Sequence, residues 1–389
     1  MAVPGRRNIV IVGGSIAAVT AAQVLRAEGF DGTLTMLSAE SHPPYSRVPL
    51  SKAVLAGTAG HDSCALPVSS DEVDVRLGAR AVRLDCGSRR VHLAGGETIA
   101  YDGLVIASGA RARRLARTGQ TGEYVIREVD DVQELASRIG SARTATIVGG
   151  GFLGMEIAST CSKLGLDVTV IDRDPPLQRL LGAWLSSVVV DRAHAAGVRF
   201  VRAPEGVELL GDEAVRGVRV GDEVFDSDVV ISAVGDLPNS EWLAGSGLET
   251  ADGALVVDQR CMVLPDVVAA GDIVAVRGED GRVSRLPHWN NAVRQARSAA
   301  LALLHGAGAP IAEPDHYFWT EAFGLQIKVC GLIPDTAPPV VLEKSNDGDS
   351  TVLQWQSHVG VPVAAATVNK KMPVVKLRRL ATAALAASC

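Results

Sequence analysis

Three glycines, Gly149, Gly151 and Gly154, punctuate the stretch between the apolar run at Thr144–Val148 and a helical segment. Glycine in such a turn lets backbone N–H groups face a pyrophosphate, and the helix N-terminus favours its negative charge. The next strand, Asp167–Ile171, leads to Asp172, 18 positions after the third glycine. A carboxylate at that spacing hydrogen-bonds an adenosine ribose. The pattern is that of a dinucleotide site. An acid there repels a 2′-phosphate and so favours NADH over NADPH. Arg173 follows at once, either as a cation that softens this preference or as an exposed surface arginine.

A second, weaker copy opens the chain. The run Asn8–Val12 feeds a turn with Gly13, Ser15 and Ala18 at the same spacing, and an alanine-rich helix follows. Gly13 suits the tight turn and Ala18 the helix–strand packing. Ser15 stands where glycine would let a pyrophosphate approach, so a βαβ turn without a phosphate is the competing reading. Two dinucleotide folds in 389 residues imply two dinucleotides. Two nicotinamides would do no net chemistry together, whereas a flavin beside a nicotinamide accepts a hydride and releases single electrons.

Three further apolar strands end in small residues: Tyr101–Arg111, Asp228–Asn239 and Val267–Ile273. Ligands bind at such carboxyl edges of open α/β sheets. Asp272 is placed to accept hydrogen bonds from flavin ribityl hydroxyls, or else to cap a following helix. Pro43–Lys52 reads as an extended loop entering a helix that Ser51 caps. Arg47 and Lys52 on that loop are either cations near a pyrophosphate and a reduced flavin, or solvated surface charges.

Composition narrows the class. Hydrophobic residues make up 47% and charged residues 21%, enough apolar material for more than one core. Net charge is −6, unlike a dedicated nucleic-acid binder. The six cysteines, Cys64, Cys86, Cys161, Cys261, Cys330 and Cys389, are never closer than 22 positions, so no zinc or local dithiol spacing exists. They read as thiols of a reducing, cytoplasmic protein. No secretory signal or bilayer-length apolar run is expected.

These motifs, in this order, resemble the FAD-dependent ferredoxin reductases, a group of two-dinucleotide-fold flavoproteins. The resemblance runs from about Asn8 to about Gly331. It rests on the two turns, the loop ending at Lys52, the Ala107–Arg111 turn, the Gly149–Glu156 segment, Val234–Asn239, Ala269–Asp272, Pro287–Ala292 and Tyr317–Glu321. It implies an α/β fold with two Rossmann-like domains and a small C-terminal α+β domain. The implied boundaries are 1–115 with 240–310 for FAD, 116–239 for NADH, and 311–389 as an interface domain. It implies FAD contacts at Gly13, Ser15, Ala18, Arg47, Lys52, Arg111, Asp272 and Trp289. Glu40 is the implied ribose ligand, two residues beyond Ser38, where the strand-end acid usually stands. NADH contacts are implied at Gly149, Gly151, Gly154, Asp172 and Gly235. Glu156 resembles the acid beside the nicotinamide, Lys52 a charge that stabilises the anionic flavin, and Trp319 the aromatic at the flavin edge.

The chain departs from the family's pattern at Ser15, Ala18, Ser46, Val48, Ser108 and Asp236-Leu237. Residues 41–56 contain no cysteine, unlike related disulfide reductases, so electrons would leave to an external acceptor. The resemblance implies a [2Fe–2S] ferredoxin serving an oxygenase. Ferredoxins are usually acidic, and candidate docking cations are Arg294, Arg297, Lys370, Lys371, Lys376, Arg378 and Arg379. Two other readings remain open. One is a flavin-dependent oxidase, or a reductase of oxygen, quinone or a small molecule, with a pocket of His288, Trp289 and Trp319. The other is an NADH-binding redox sensor that acts by association.

Overall fold

Runs of β-branched residues and alanine-rich amphipathic segments alternate along much of the chain, and they fold as strands and crossover helices. A computed structural model describes residues 7–334 and 337–382. Cys389 lies outside these residues. The helices among them are α1 (Ile16–Ala27), α2 (Val129–Ile139), α3 (Phe152–Lys163), α4 (Gln178–Ala195), α5 (Trp289–His305) and α6 (Val374–Ala381). The chain divides into two compact units. The first contains residues up to Ser46, His61–Arg111 and Asp236–Asp315; the second contains Arg47–Gly60, Ala112–Gly235 and residues from His316 onward.

In the first unit a six-stranded sheet has the order Met262–Leu264, Val267–Ala269, Gly103–Ile106, Asn8–Val12, Thr33–Leu37, Asp74–Arg76. All neighbours run parallel except the first pair. Strands buried on both faces need continuous apolar sequence, and Ile9, Val10 and Ile11 are fully buried. One face is covered by α1 and α5. The buried cluster on that face includes Ala17, Ala18, Ala21, Ala22 and Leu25 of α1 and Ala296, Ala299, Ala300 and Leu303 of α5. Small residues let the two helices approach closely, and each fully buried leucine adds about 2 kcal/mol. A smaller antiparallel sheet at residues 81–100 and a mixed one at 250–284, whose central pair is parallel, complete the unit.

The second unit repeats the scheme. Its five-stranded sheet is parallel throughout, in the order Arg199–Arg202, Asp167–Asp172, Thr144–Val148, Val229–Ser232, Glu123–Tyr124. An antiparallel three-stranded sheet spans residues 208–226. From Tyr317 a five-stranded antiparallel sheet forms, in the order Tyr317–Ala322, Leu325–Gly331, Pro362–Val368, Thr351–Gln356, Val340–Lys344, and α6 packs on it through Leu377.

One local expectation is corrected, and one open alternative falls. Ser51 caps no helix. Leu50–Val54 is a single π-type turn, and Ser51 lies inside it with its hydroxyl turned onto Glu156. Asp272 also caps no helix, because the strand Val274–Arg277 follows it. No described helix is long and apolar enough to cross a membrane.

Candidate functional site

The two glycine turns make the same backbone hydrogen bond to the neighbouring strand and differ in what lines them. In the second unit, the N–H of Gly149 donates to the Ile171 carbonyl at 2.8 Å and its φ is +107°. A Cβ there would lie 2.3 Å from the Ala233 carbonyl oxygen, so the position demands glycine. At Gly154 a Cβ would lie 1.9 Å from the Gly149 oxygen. Gly151 is different. Its φ of −74° suits any residue, and a Cβ would meet nothing within 4 Å. Neither strain nor packing within the protein calls for glycine at that position. It leaves open space at the N-terminus of α3, which has no side-chain cap. Uncapped N–H groups beside open space suit an anionic pyrophosphate.

Asp172 ends its strand and turns back onto the same loop. Its Oδ2 accepts from the Gly150 N–H at 2.5 Å, and its Oδ1 accepts from Asp174 N–H at 3.3 Å. Gly235 follows the neighbouring strand Val229–Ser232 with φ +96° and open space around it.

In the first unit, the Gly13 N–H donates to the Leu37 carbonyl at 2.9 Å, and a Cβ at Gly13 would lie 2.1 Å from the Ala107 oxygen. Ser15 takes the position of Gly151 at the start of α1, again with no side-chain cap. Its hydroxyl donates to the Tyr45 carbonyl at 3.3 Å. Ala18 is fully buried where the second turn has Gly154. Ser38 is buried against Gly14, and Glu40 accepts a short hydrogen bond from the Tyr45 hydroxyl. By contrast α5 is capped: His288 Nδ1 accepts from the Asn290 N–H at 3.3 Å.

The other expected contacts of the first unit lie at strand ends. Arg111 donates to Pro238 O at 3.3 Å and Asn239 Oδ1 at 3.2 Å, and it pairs with Glu241 at 2.5 Å. Asp272 lies three residues beyond the end of the strand Val267–Ala269, with its carbonyl accepting from Arg285 Nε at 2.8 Å. Arg285 also pairs with Asp236 at 2.6 Å. Trp289 begins α5 and is 36% exposed. Burial lowers the pKa of His288, against the pull of the Asp272 and Asp315 carboxylates.

The remaining expected residues gather in the second unit. Glu156 sits on the buried face of α3. Its Oε2 accepts from Ser51 Oγ at 2.7 Å and from Lys52 Nζ at 2.7 Å; its Oε1 accepts from Thr320 Oγ1 at 3.1 Å. The same helix holds both neighbours by further bonds. Thr160 Oγ1 donates to Ser51 O at 2.8 Å, and Ser159 Oγ accepts from the Phe323 N–H at 2.7 Å. Arg47 donates to the Arg127 carbonyl at 2.6 Å. Trp319, beside Thr320, is half-buried and stacks on Tyr317 with centroids 5.7 Å apart. The sequence pattern identified Lys52 and Glu156 but carried no signal for Ser51 and Thr320 as partners of the carboxylate, because all four meet only in the folded chain.

The residues present fit two dinucleotides. Each turn opens an uncapped helix N-terminus, and the second turn has Gly151, whose missing side chain nothing in the protein explains. The thiols offer little as a relay. Burial pushes the Cys161 thiol to about 12 and raises those of Cys86 and Cys261. The described cysteines form no disulfide.

The family model for pyridine nucleotide-disulphide oxidoreductases matches residues 7–296. The chain belongs to that family. Its relatives in the family include the biphenyl dioxygenase system ferredoxin–NAD(+) reductase component of Paraburkholderia xenovorans strain LB400, 34% identical over 354 residues that cover 89% of this chain and 86% of that one. The 3-phenylpropionate/cinnamic acid dioxygenase ferredoxin–NAD(+) reductase component of Photorhabdus laumondii is 32% identical over 386 residues, 96% of each chain. Among solved structures, the reductase in the covalent putidaredoxin reductase–putidaredoxin complex superposes with a TM-score of 0.84 at 25% identity, covering 96% of this chain and 93% of that chain. The ferredoxin-reductase resemblance and the two Rossmann-like folds expected from the sequence are thereby borne out.

Proposed function

We propose that this chain is a flavoprotein reductase that takes a hydride from NADH onto FAD and delivers single electrons to a [2Fe–2S] ferredoxin serving an oxygenase, in the cytoplasm. The observation that carries it is the pair of like turns, each opening an uncapped helix, with open space at Gly151. The oxygenase-system relatives and the putidaredoxin reductase neighbour support the choice of acceptor.

In this reading residues 1–115 and 240–310 bind FAD, 116–239 bind NADH, and 311–389 form the interface. Gly13, Ser15, Ala18, Glu40, Arg47, Lys52, Arg111, Asp272 and Trp289 contact FAD. Gly149, Gly151, Gly154, Asp172 and Gly235 contact NADH, with Asp172 on the adenosine ribose. FAD, when bound, supplies the step from two-electron to one-electron chemistry.

The chain's own groups do the positioning. Glu156 fixes the Lys52 ammonium through a 2.7 Å ion pair, so a positive charge is held in place before any cofactor arrives. Ser51 and Thr320 satisfy the rest of that buried carboxylate and keep it oriented. Trp319 stands one residue from Thr320 on the same strand, which ties the proposed exit aromatic to the same cluster.

Anaerobic titration of the purified yellow protein with NADH, followed by addition of a [2Fe–2S] ferredoxin, tests the reading. NADH bleaches the flavin, and ferredoxin restores its colour while becoming reduced. Reoxidation by oxygen or quinone alone would replace the ferredoxin with a small acceptor. A protein that stays yellow with NADH refutes the reductase.

A further inference from the structure

The turn that carries Asp272 is held by side chains from two other segments. The N–H of Gly271 donates to Gln295 Oε1 on α5 at 2.9 Å, in a buried contact. The Gly271 carbonyl accepts from the Val274 N–H at 3.0 Å and closes the turn. The Asp272 carbonyl accepts from Arg285 Nε at 2.8 Å. A hairpin brings Arg285 there. The strand Val274–Arg277 pairs antiparallel with Val283–Ser284, with Val276 opposite Ser284, so the residue after Ser284 returns beside the start of the outgoing strand.

Arg285 needs a counter-charge in this place. Its side chain is only 22% exposed, and its Nη2 is buried with no hydrogen-bond partner among the described residues. The paired carboxylate is Asp236, whose Oδ1 lies 2.6 Å from Arg285 Nη1 as an ion pair rather than an aligned hydrogen bond. Asp236 is 23% exposed, so water screens the pair less than it would on an open surface. A guanidinium is planar, and fixing Nη1 fixes the direction of Nε. Asp236 therefore sets the bond from Arg285 to the Asp272 peptide. Asp236 is also one of the positions at which this chain departs from the ferredoxin-reductase pattern, and the ion pair gives that departure a physical role.

Resting on the FAD contact proposed for Asp272, we infer that Asp236 and Arg285 are positioning residues for that cofactor. Asp236 orients the Arg285 guanidinium, Arg285 holds the Asp272 carbonyl, and the Asp272 carboxylate is thereby presented to the flavin's ribityl hydroxyls. Neither residue needs to touch FAD. The two act in series, so removing Asp236 matters only while Arg285 is there to be oriented. Lysine at position 285 keeps the charge, but it offers one nitrogen in place of a fork that spans both partners.

The test is release of FAD from the holoenzyme in a dilution series, followed by the rise in flavin fluorescence. Asp236→Asn, Arg285→Gln and Arg285→Lys each hold FAD about tenfold less tightly than the wild type. The visible circular dichroism of the flavin that stays bound changes in all three, a signature that a loss of stability alone would not produce. Far-ultraviolet circular dichroism like that of the wild type shows that the variants are folded, and Asp236→Asn is nearly isosteric. In the double variant Asp236→Asn with Arg285→Gln the loss stays about tenfold rather than about a hundredfold, as residues in series require. Folded variants that hold FAD as the wild type does overturn the inference. A double variant whose loss is the product of the single losses overturns it as well. A wild type that carries no FAD, and takes none up when it is added, refutes the flavin reading itself and the inference with it.

Discussion

Lys52 and Glu156 stand 104 residues apart in sequence, yet the ammonium of one lies 2.7 Å from the carboxylate of the other. The pair is 21% and 10% exposed, and Ser51 and Thr320 complete its hydrogen bonding. Removing one partner strands the other. Glu156→Ala is expected to lower unfolding free energy by about 1–3 kcal/mol, less than a fully buried pair because Lys52 retains some solvent. It is also expected to slow flavin reduction by NADH at least about tenfold, since the charge is no longer fixed. Chemical denaturation and anaerobic stopped-flow absorbance measure the two effects. A double-mutant cycle with Lys52→Met isolates the coupling; additive losses would mean the ion pair contributes nothing of its own.

The second turn separates folding from binding. Gly149→Ala forces a Cβ to within 2.3 Å of a carbonyl at φ +107°, and costs about 3 kcal/mol of stability. Gly151→Ala puts a methyl into open space at an ordinary φ. Its melting temperature stays within a few degrees of wild type, while its affinity for NADH falls about tenfold. A Gly151→Ala protein that binds NADH normally would deny that the space at Gly151 receives the pyrophosphate.

His288 ties helix stability to pH. It caps α5 through a ring nitrogen that accepts a hydrogen bond, so the cap needs the neutral ring. Its pKa in the fold is depressed by burial below the ordinary 6.5. The unfolded chain therefore takes up the proton first, and stability rises with pH through that window. The contribution is complete above pH 6.5 and is lost as pH falls through the lower folded value. His288→Asn keeps a capping side chain without the titration, and its melting temperature is expected to fall less steeply than the wild type's between neutral and mildly acidic pH.

Lys371, Lys376 and Arg379 are exposed near or on α6. Lys370 is already paired with Glu343 at 3.2 Å, and Arg378 lies over the Tyr317 ring at 5.9 Å. Replacing the first three with glutamate is expected to raise KM for an acidic ferredoxin about tenfold at low salt, with the difference shrinking as salt increases. Turnover of NADH with a small dye shows whether the flavin still works. Unaltered ferredoxin kinetics would move the docking surface elsewhere, with Arg294 and Arg297 the next cations to test.

What the sequence disclosed and what it hid follow from the range of the interactions. Both turns, the strand ending at Asp172 and the helix near 290–305 were legible because each depends on residues close in sequence: alternating or continuous apolar runs, then glycine, then a helix. The partners of Glu156 were not legible, because Ser51, Lys52 and Thr320 reach α3 from two distant segments. Ser51 misled for the same reason: a serine before an apolar run reads as a cap until a distant carboxylate claims its hydroxyl.

The pairing of α1 with α5 has a consequence for synthesis. A ribosome makes α1 before the second unit's parallel sheet and α5 only after the whole of it. Until Trp289–His305 emerges, the alanine and leucine face of α1 has lost its principal cover, and the six-stranded sheet also waits for Val267–Ala269. The parallel sheet between residues 123 and 232 has no such delay, because all five of its strands are contiguous in the chain. The strands of the segment that interrupts the first unit are thus all made before Trp289–His305, whereas Glu156 and Ser159 on α3 still wait for Thr320 and Phe323.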